Sequence, residues 1–304
     1  MAEFYINHEY WFAVFQLVSA MLGMGATLKF GDFRAVILQP FSVSAGTLIQ
    51  LLLVPLVAFV FIATLSPIAG VAVGIALIAA IPGGTSSNIF THFAQGNIAL
   101  SISITAITTL ACLVTTPLIL SLLISSYMPA DFVMPTSQIM KEITLNLLLP
   151  LCTGMIVLRI SPTFANYLSA WCIRGSILGL LMIFVGSSIA GRLDVEQFGL
   201  TNIGLVSLFI LAIVLLGWLA PRFLRLPAAD STAIEMEVVV RSVNLGIMLK
   251  VSLFPTMIGG DNSLGNMVLF SLLLYGAIQL MLGLILIAIR KSSSHPSIAK
   301  ILPE

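Results

Sequence analysis

The stretch that decides the fold is Ile81-Pro82-Gly83-Gly84-Thr85-Ser86-Ser87-Asn88. It lies between two apolar runs of half length. Pro82 removes a backbone donor and the glycines loosen the chain, so a helix must break here. In hydrocarbon, an unwound segment survives only when protein buries it or when it lines a water-filled cavity. Thr85, Ser86, Ser87 and Asn88 supply hard oxygen ligands within a short space. The half-helix that starts there points its free N–H groups and positive dipole end at the break.

A second interruption is Glu235-Met236-Glu237-Val238-Val239-Val240-Arg241-Ser242-Val243-Asn244. Two carboxylates and a guanidinium inside an apolar span cost several kcal/mol unless they are partnered. Glu237 and Arg241 are four apart with the acid first, a spacing that pairs them on a helix. The plain reading is a structural intramembrane salt bridge. The functional reading is a binding site, because ionisable residues at this depth usually mark a transport path. Glu235 points about 200° away from Glu237 on a helix and belongs to the cytoplasmic entrance or to bonds within the bundle.

The rest of the chain fits a membrane setting. It has 304 residues, of which 59% are hydrophobic and only 8% charged, whereas soluble domains carry about a quarter charged residues. The mean hydropathy is +1.12. These figures exclude a soluble enzyme, a disordered chain and a nucleic-acid binder, and the net charge of +1 suggests no polyanionic partner. Cys112, Cys152 and Cys172 lie singly in apolar runs without metal or redox spacing. Glu3 and Glu9 stand where a cleavable signal peptide would be basic.

Hydropathy predicts about nine spans, near residues 10–28, 40–65, 68 to the break at 82–84, 98–124, 139–160, 170–190, 201–219, a broken one from 229, and 264–289. A short amphipathic stretch, 30–38, follows the first. No alternating ten-residue segments suggest a β-barrel. Lys29, Arg34, Arg159, Arg174, Arg222, Arg225, Arg290, Lys291 and Lys300 fall on one side, while Lys141, Arg192 and Lys250 fall on the other. The richer side is expected to be the cytoplasm, with the N-terminus outside, the C-terminus inside and a plasma (inner) membrane location. Trp11, Trp171 and Trp218 sit near span ends, as belt residues do.

The two interruptions occupy corresponding places. Spans one to four read long, long, broken, long, and spans six to nine repeat that order from the opposite side. Repeat one covers about 10–126 and repeat two about 168–290, with a linker helix at about 137–160, in a single transporter domain 1–304. Paired interruptions in an inverted repeat point to a secondary transporter whose breaks meet near the midplane. The expected class is an all-α polytopic membrane protein.

Pro82-Gly83-Gly84-Thr85-Ser86-Ser87-Asn88, Gly96-Asn97-Ile98-Ala99-Leu100-Ser101, the intramembrane Glu237 and Gly23-Met24-Gly25-Ala26-Thr27-Leu28 together resemble the bile acid:sodium symporter family, in its nine-helix form. The resemblance spans nearly the whole chain. It implies a core of the second, third, fourth, seventh, eighth and ninth spans, in which the broken helices cross, and a panel of the first, fifth and sixth. Substrate binds between them, and their relative motion gives alternating access. It implies a first sodium site at Ser87, Asn88, Ser101, Thr105 and Glu237. The family's second site maps to Gln50, Glu237 and the carbonyls of Val238 and Val240, but its last ligand, a Gln, is Arg241 here. A guanidinium has donors only and cannot ligate sodium. One sodium ion is therefore expected instead of two, with Arg241 filling the second site, holding Glu237 and lying near Gln50.

The leading reading is a secondary transporter of a small or amphipathic organic anion, with Thr85 and Asn244 facing the substrate from two positive half-helix ends. The alternative is a sodium-independent or proton-coupled carrier of the same fold. An intramembrane enzyme would need a nucleophile–base pair or metal ligands, and neither pattern occurs around His8, His92 or His295. Inverted broken helices argue for a carrier over a channel. Asn97 is expected to cap the fourth span, and His92 to be an interfacial helix end. No obligatory protein partner is expected beyond the lipid bilayer.

Overall fold

A computed structural model describes residues 2–29, 31, 38–128, 132–256 and 262–293. Arg34, Lys300, His295 and most of the expected amphipathic stretch 30–38 lie outside the described residues. Among the described residues the fold is all-helical. The helices are α1 (Ala2–Gly25), α2 (Pro40–Leu65), α3 (Ala69–Ala80), α4 (Thr85–Phe93), α5 (Ile98–Ile124), α6 (Thr136–Ile160), α7 (Pro162–Ile189), α8 (Leu200–Phe223), α9 (Ala228–Val239), α10 (Val243–Leu253) and α11 (Ser263–Ser293).

Six described helices are long and apolar enough to cross a membrane: α2, α5, α6, α7, α8 and α11. The helix α1 is 24 residues long and starts earlier than hydropathy suggested, because its first turns carry Glu3, His8 and Glu9. The sixth expected span is likewise longer, beginning at Pro162. Short pairs, α3 with α4 and α9 with α10, stand where the two interruptions were expected. Outward faces are apolar, as in α7, where Leu178, Leu181, Phe184 and Val185 are exposed.

Two of the long helices contain a π-helical turn, Ile49–Leu53 in α2 and Thr144–Leu148 in α6. Each lies just before a proline, Pro55 and Pro150. A proline has no N–H for the carbonyl four residues back, and the wider π turn absorbs that defect. In α2 the turn carries Gln50, which is fully buried.

The centre of the bundle is α3, buried from Gly70 to Ala80. It packs on α11, where Gly70 meets Met267 and Gly74 meets Ser271, and on α5. Thr116 of α5 donates to the Ala80 carbonyl at 2.8 Å, satisfying an acceptor left open at the end of α3.

A second group is formed by α1, α6 and α7. The α1 residues Tyr5, Glu9, Ala13, Gln16, Leu17, Ala20, Met21 and Met24 recur at helical spacing and are buried. Tyr5 bonds Ser187 of α7 at 2.8 Å. The crossing with α6 is backbone on backbone. A Cβ on Gly25 would stand 2.1 Å from the Leu151 carbonyl oxygen, and one on Gly154 would stand 2.5 Å from that of Leu22. Small residues permit such approach between membrane helices. Gly154→Leu is therefore expected to cost about 1–3 kcal/mol, read as a lower thermal midpoint in detergent. An unchanged midpoint would mean that the contact does not constrain the fold.

Candidate functional site

The site begins with how the two breaks satisfy their backbones. Ile81 is extended and ends α3, and Gly84 is extended and precedes α4. Val240 is extended and ends α9. The two unwound segments pair with each other in an antiparallel bridge, Gly83 with Arg241. The Gly84 amide donates to the Val240 carbonyl at 2.8 Å, and the Ser242 amide to the Pro82 carbonyl at 3.0 Å. The Arg241 amide donates to Gln279 of α11 at 2.8 Å, and the Gly83 amide to Gln50 at 3.0 Å. Tyr275 of α11 donates to the Val239 carbonyl at 2.7 Å. Gly84 lets the chains approach, since a Cβ there would lie 2.9 Å from the Arg241 carbonyl oxygen.

This crossing puts Glu237, on the last turn of α9, against the start of α4 and the first turns of α5. Its carboxylate is fully buried. Oε1 accepts from Ser87 at 2.5 Å, Ser101 at 2.6 Å and Thr105 at 2.7 Å. Oε2 accepts from the Gln50 amide at 3.2 Å. Asn88 Oδ1 accepts from Ser101 at 2.8 Å. The Gly84 carbonyl lies 2.6 Å from the Ser87 hydroxyl, and the Ser101 carbonyl 3.0 Å from that of Thr105. Each hydroxyl carries one proton yet lies within bonding distance of more than one acceptor. The pocket therefore holds more oxygen lone pairs than protons, a donor set suited to a hard monovalent cation.

The structure thus brings together Ser87, Asn88, Ser101, Thr105 and Glu237, with Gln50 on the far oxygen. Arg241 differs from the expectation. It is buried, but no ion pair joins it to Glu237 among the described residues. The helical spacing that suggested pairing does not apply, because α9 ends at Val239 and the chain is extended through Val240. The guanidinium instead turns to the C-terminal end of α3, where Nη2 donates to the Ala79 carbonyl at 3.2 Å and also to that of Ile81. A cation is favourable at a helix C-terminus. The Val240 carbonyl is engaged by Gly84, as above, and Val238 is buried. Asn244 lies half-buried on the first turn of α10. The Thr85 side chain is outside the described residues. Neither of two described cavities, of about 400 and 380 Å³, touches Asn244 or the crossing.

Asn97 caps α5 as expected, accepting from the Leu100 amide at 3.2 Å. Glu235 is buried against Arg290 of α11, with Arg222 of α8 at 3.7 Å. Sequence reasoning missed the grouping of Glu9 with Lys250 at 3.1 Å, Arg192 at 2.7 Å and Thr256 at 2.6 Å. An apolar half-helix containing a lysine signals a buried acid, but nothing local names Glu9 as that acid. Asp230, buried at the start of α9, was also missed.

An all-helical bundle with two broken helices crossing over a buried carboxylate defines a membrane transporter class. The sodium bile acid symporter family model matches residues 14–194. The chain is 34% identical over 235 residues to the uncharacterized sodium-dependent transporter YocS of Bacillus subtilis, covering 77% of this chain and 72% of that protein. It is 31% identical over 237 residues to a probable chloroplastic sodium/metabolite cotransporter, BASS1, of Arabidopsis thaliana, covering 77% and 57%. It is 28% identical over 231 residues to the human ileal sodium/bile acid cotransporter, covering 75% and 66%. The chain belongs to the sodium bile acid symporter family.

Gly83→Ala tests the geometry. Its Cβ would lie 2.3 Å from Glu237 Oε2 and 3.3 Å from Gln50 Nε2. The substitution is expected to displace the carboxylate, lower stability by about 1–3 kcal/mol and abolish any rise of the thermal midpoint with sodium chloride. A midpoint that follows sodium as in the wild type would show that the carboxylate does not need this position.

Proposed function

We propose that the chain is a sodium-coupled secondary transporter of a small or amphipathic organic anion, working by alternating access. One observation carries this reading: the buried Glu237 carboxylate, ringed by three hydroxyls and Gln50 beneath the crossing. The bacterial relative is named a sodium-dependent transporter, and the plant and human relatives are named sodium cotransporters. The proposed ligands are Ser87, Asn88, Ser101, Thr105 and Glu237, and the ion is cargo that moves with the substrate.

Nine crossings are proposed: the six long helices, α1, and the α3–α4 and α9–α10 pairs. In this reading the chain is one transporter domain with inverted repeats at about 10–126 and 168–290, joined by α6. The N-terminus is outside and the C-terminus cytoplasmic, in a plasma (inner) membrane. The segregation of basic residues supports that orientation. A panel of α1, α6 and α7 moves against a core of the remaining helices. The substrate anion meets the N-terminal ends of α4 and α10, near Thr85 and Asn244, where the half-helix dipoles favour negative charge.

One sodium ion is proposed per cycle. Arg241 supplies a tethered charge behind the crossing, against the Ala79 and Ile81 carbonyls, at a point where a Gln would offer an oxygen. Arg241→Ala removes charge-assisted bonds and is expected to cost about 1.5–3 kcal/mol. Arg241→Gln is expected to cost less and to make sodium activation steeper than first order.

The experiment is uptake of several organic carboxylates and sulfonates into proteoliposomes, with an inward sodium gradient or with potassium replacing it. Sodium-stimulated, saturable uptake that is first order in sodium is expected. Uptake driven by a pH gradient without sodium would replace this reading with proton coupling through Glu237. Second-order sodium activation of the wild type would overturn the stoichiometry.

A further inference from the structure

Asp230 has a setting that the sodium site alone does not require. It lies in the first turn of α9, seven residues before Glu237. Seven residues are two helical turns, so both carboxylates project from nearly the same face, about 10 Å apart along the axis. Asp230 is 6% exposed. Oδ2 accepts from Ser42 of α2 at 2.6 Å, and Oδ1 from the Asn97 amide at the cap of α5 at 2.8 Å. No basic side chain pairs with it among the described residues.

The same three helices build both places. Helix α9 gives Asp230 and Glu237. Helix α2 gives Ser42 to one and Gln50 to the other. On the α5 side, Asn97, Ser101 and Thr105 recur every four residues; the first meets Asp230 and the other two meet Glu237. Thr91 of α4 is buried and donates to Ser101 at 3.2 Å, adding an oxygen beside the row. Gln39 Oε1 lies 2.9 Å from the Asn97 amide at the outer end. A buried carboxylate with only two neutral side-chain donors leaves lone pairs open, and here its charge is met only by the helix dipole. A cation satisfies both. The positive end of the α9 dipole acts against a cation there, which makes the site weak, and weak binding suits a place that an ion passes through.

We propose that Asp230, with the Ser42 hydroxyl and the Gln39 side-chain oxygen, is a second, low-affinity station for a monovalent cation, between the Glu237 site and the near end of α9, with the Asn97 amide holding the carboxylate in place. This rests on the sodium-coupled reading above and goes beyond it by assigning the route of ion release.

The test uses the full chain in proteoliposomes, as wild type, Asp230→Asn, Asp230→Glu and Ser42→Ala. Radioactive sodium exchange and substrate uptake are measured, together with the thermal midpoint across a sodium titration. Asp230→Asn is expected to slow sodium exchange and maximal uptake about tenfold, a change of one decade in rate. Its sodium midpoint for thermal stabilisation should stay at the wild-type value, because Glu237 is intact. Asp230→Glu should recover most of the rate. Ser42→Ala should slow exchange more mildly, and it carries the test if Asp230→Asn does not fold. Exchange at the wild-type rate in Asp230→Asn, or in Ser42→Ala where that variant decides, would overturn the station and leave the sodium-coupled reading standing. A wild type with no sodium response would overturn that reading itself, and the station with it.

Discussion

Two unwound segments cross inside a bundle where no solvent can reach their backbones. Each such amide or carbonyl would cost several kcal/mol if left alone. The breaks resolve this by bonding to each other, Gly84 to Val240 and Ser242 to Pro82. Neither half is viable without the other, so the crossing is fixed in register. Everything at the site follows from that register. Shifting α9 by one residue would rotate Glu237 about 100° away from Ser87, Ser101 and Thr105. Gln50 ties the crossing to the carboxylate, since one amide group accepts from Gly83 and donates to Glu237. The π turn before Pro55 is what places that side chain in α2.

The same low dielectric governs the other charges. Glu235 is held by Arg290 and Arg222 at one end of the bundle, and Glu9 by Lys250 and Arg192 at the other. Both sets join residues far apart in sequence and tie separate helices together. Glu9 of α1 reaching Lys250 of α10 links the two helix groups across a buried ion pair. Removing one partner of such a pair generally costs about 3–5 kcal/mol, because the other is left buried and alone.

Local chemistry made much of this legible. Pro82 and the adjacent glycines marked the break, and the family resemblance mapped Ser87, Asn88, Ser101 and Thr105 onto the cluster around an intramembrane Glu237 that the structure assembles. What stayed hidden depends on distance in the chain. Arg241 reads as the partner of Glu237 only if the helix continues. It stops at Val239, because the backbone of the next residues is taken by Pro82, Gly84 and Gln279. No local signal in Val238-Val239-Val240 announces that stop, since the partners that cause it, Pro82, Gly84 and Gln279, lie far away in the chain on both sides. Asp230 was passed over for a similar reason. In sequence it is an ordinary acid in a helix's first turn, and its burial appears only once Ser42 and Asn97 are placed around it.

The charge of the cluster bears on which ion it suits. Around Glu237 the remaining oxygens belong to hydroxyls, a side-chain amide and backbone carbonyls, all neutral. Among the described residues no group of three or more His, Cys, Asp or Glu side chains is gathered anywhere. One carboxylate neutralises one positive charge. A divalent ion held there would leave a full unit of charge in a medium where isolated charge is very unfavourable. Divalent sites usually recruit more carboxylates and a larger shell. A set with a single acid and hydroxyl ligands therefore selects for charge first and size second. With no cation bound, the carboxylate would be satisfied by the hydroxyl protons and the Gln50 amide. Those hydroxyls can serve in both states by rotation: lone pairs turn inward around a cation, and protons turn inward when it has gone. A site that can be satisfied both full and empty, without rearranging its helices, is what a carrier needs if ion release is not to be trapped by the stability of the bound form.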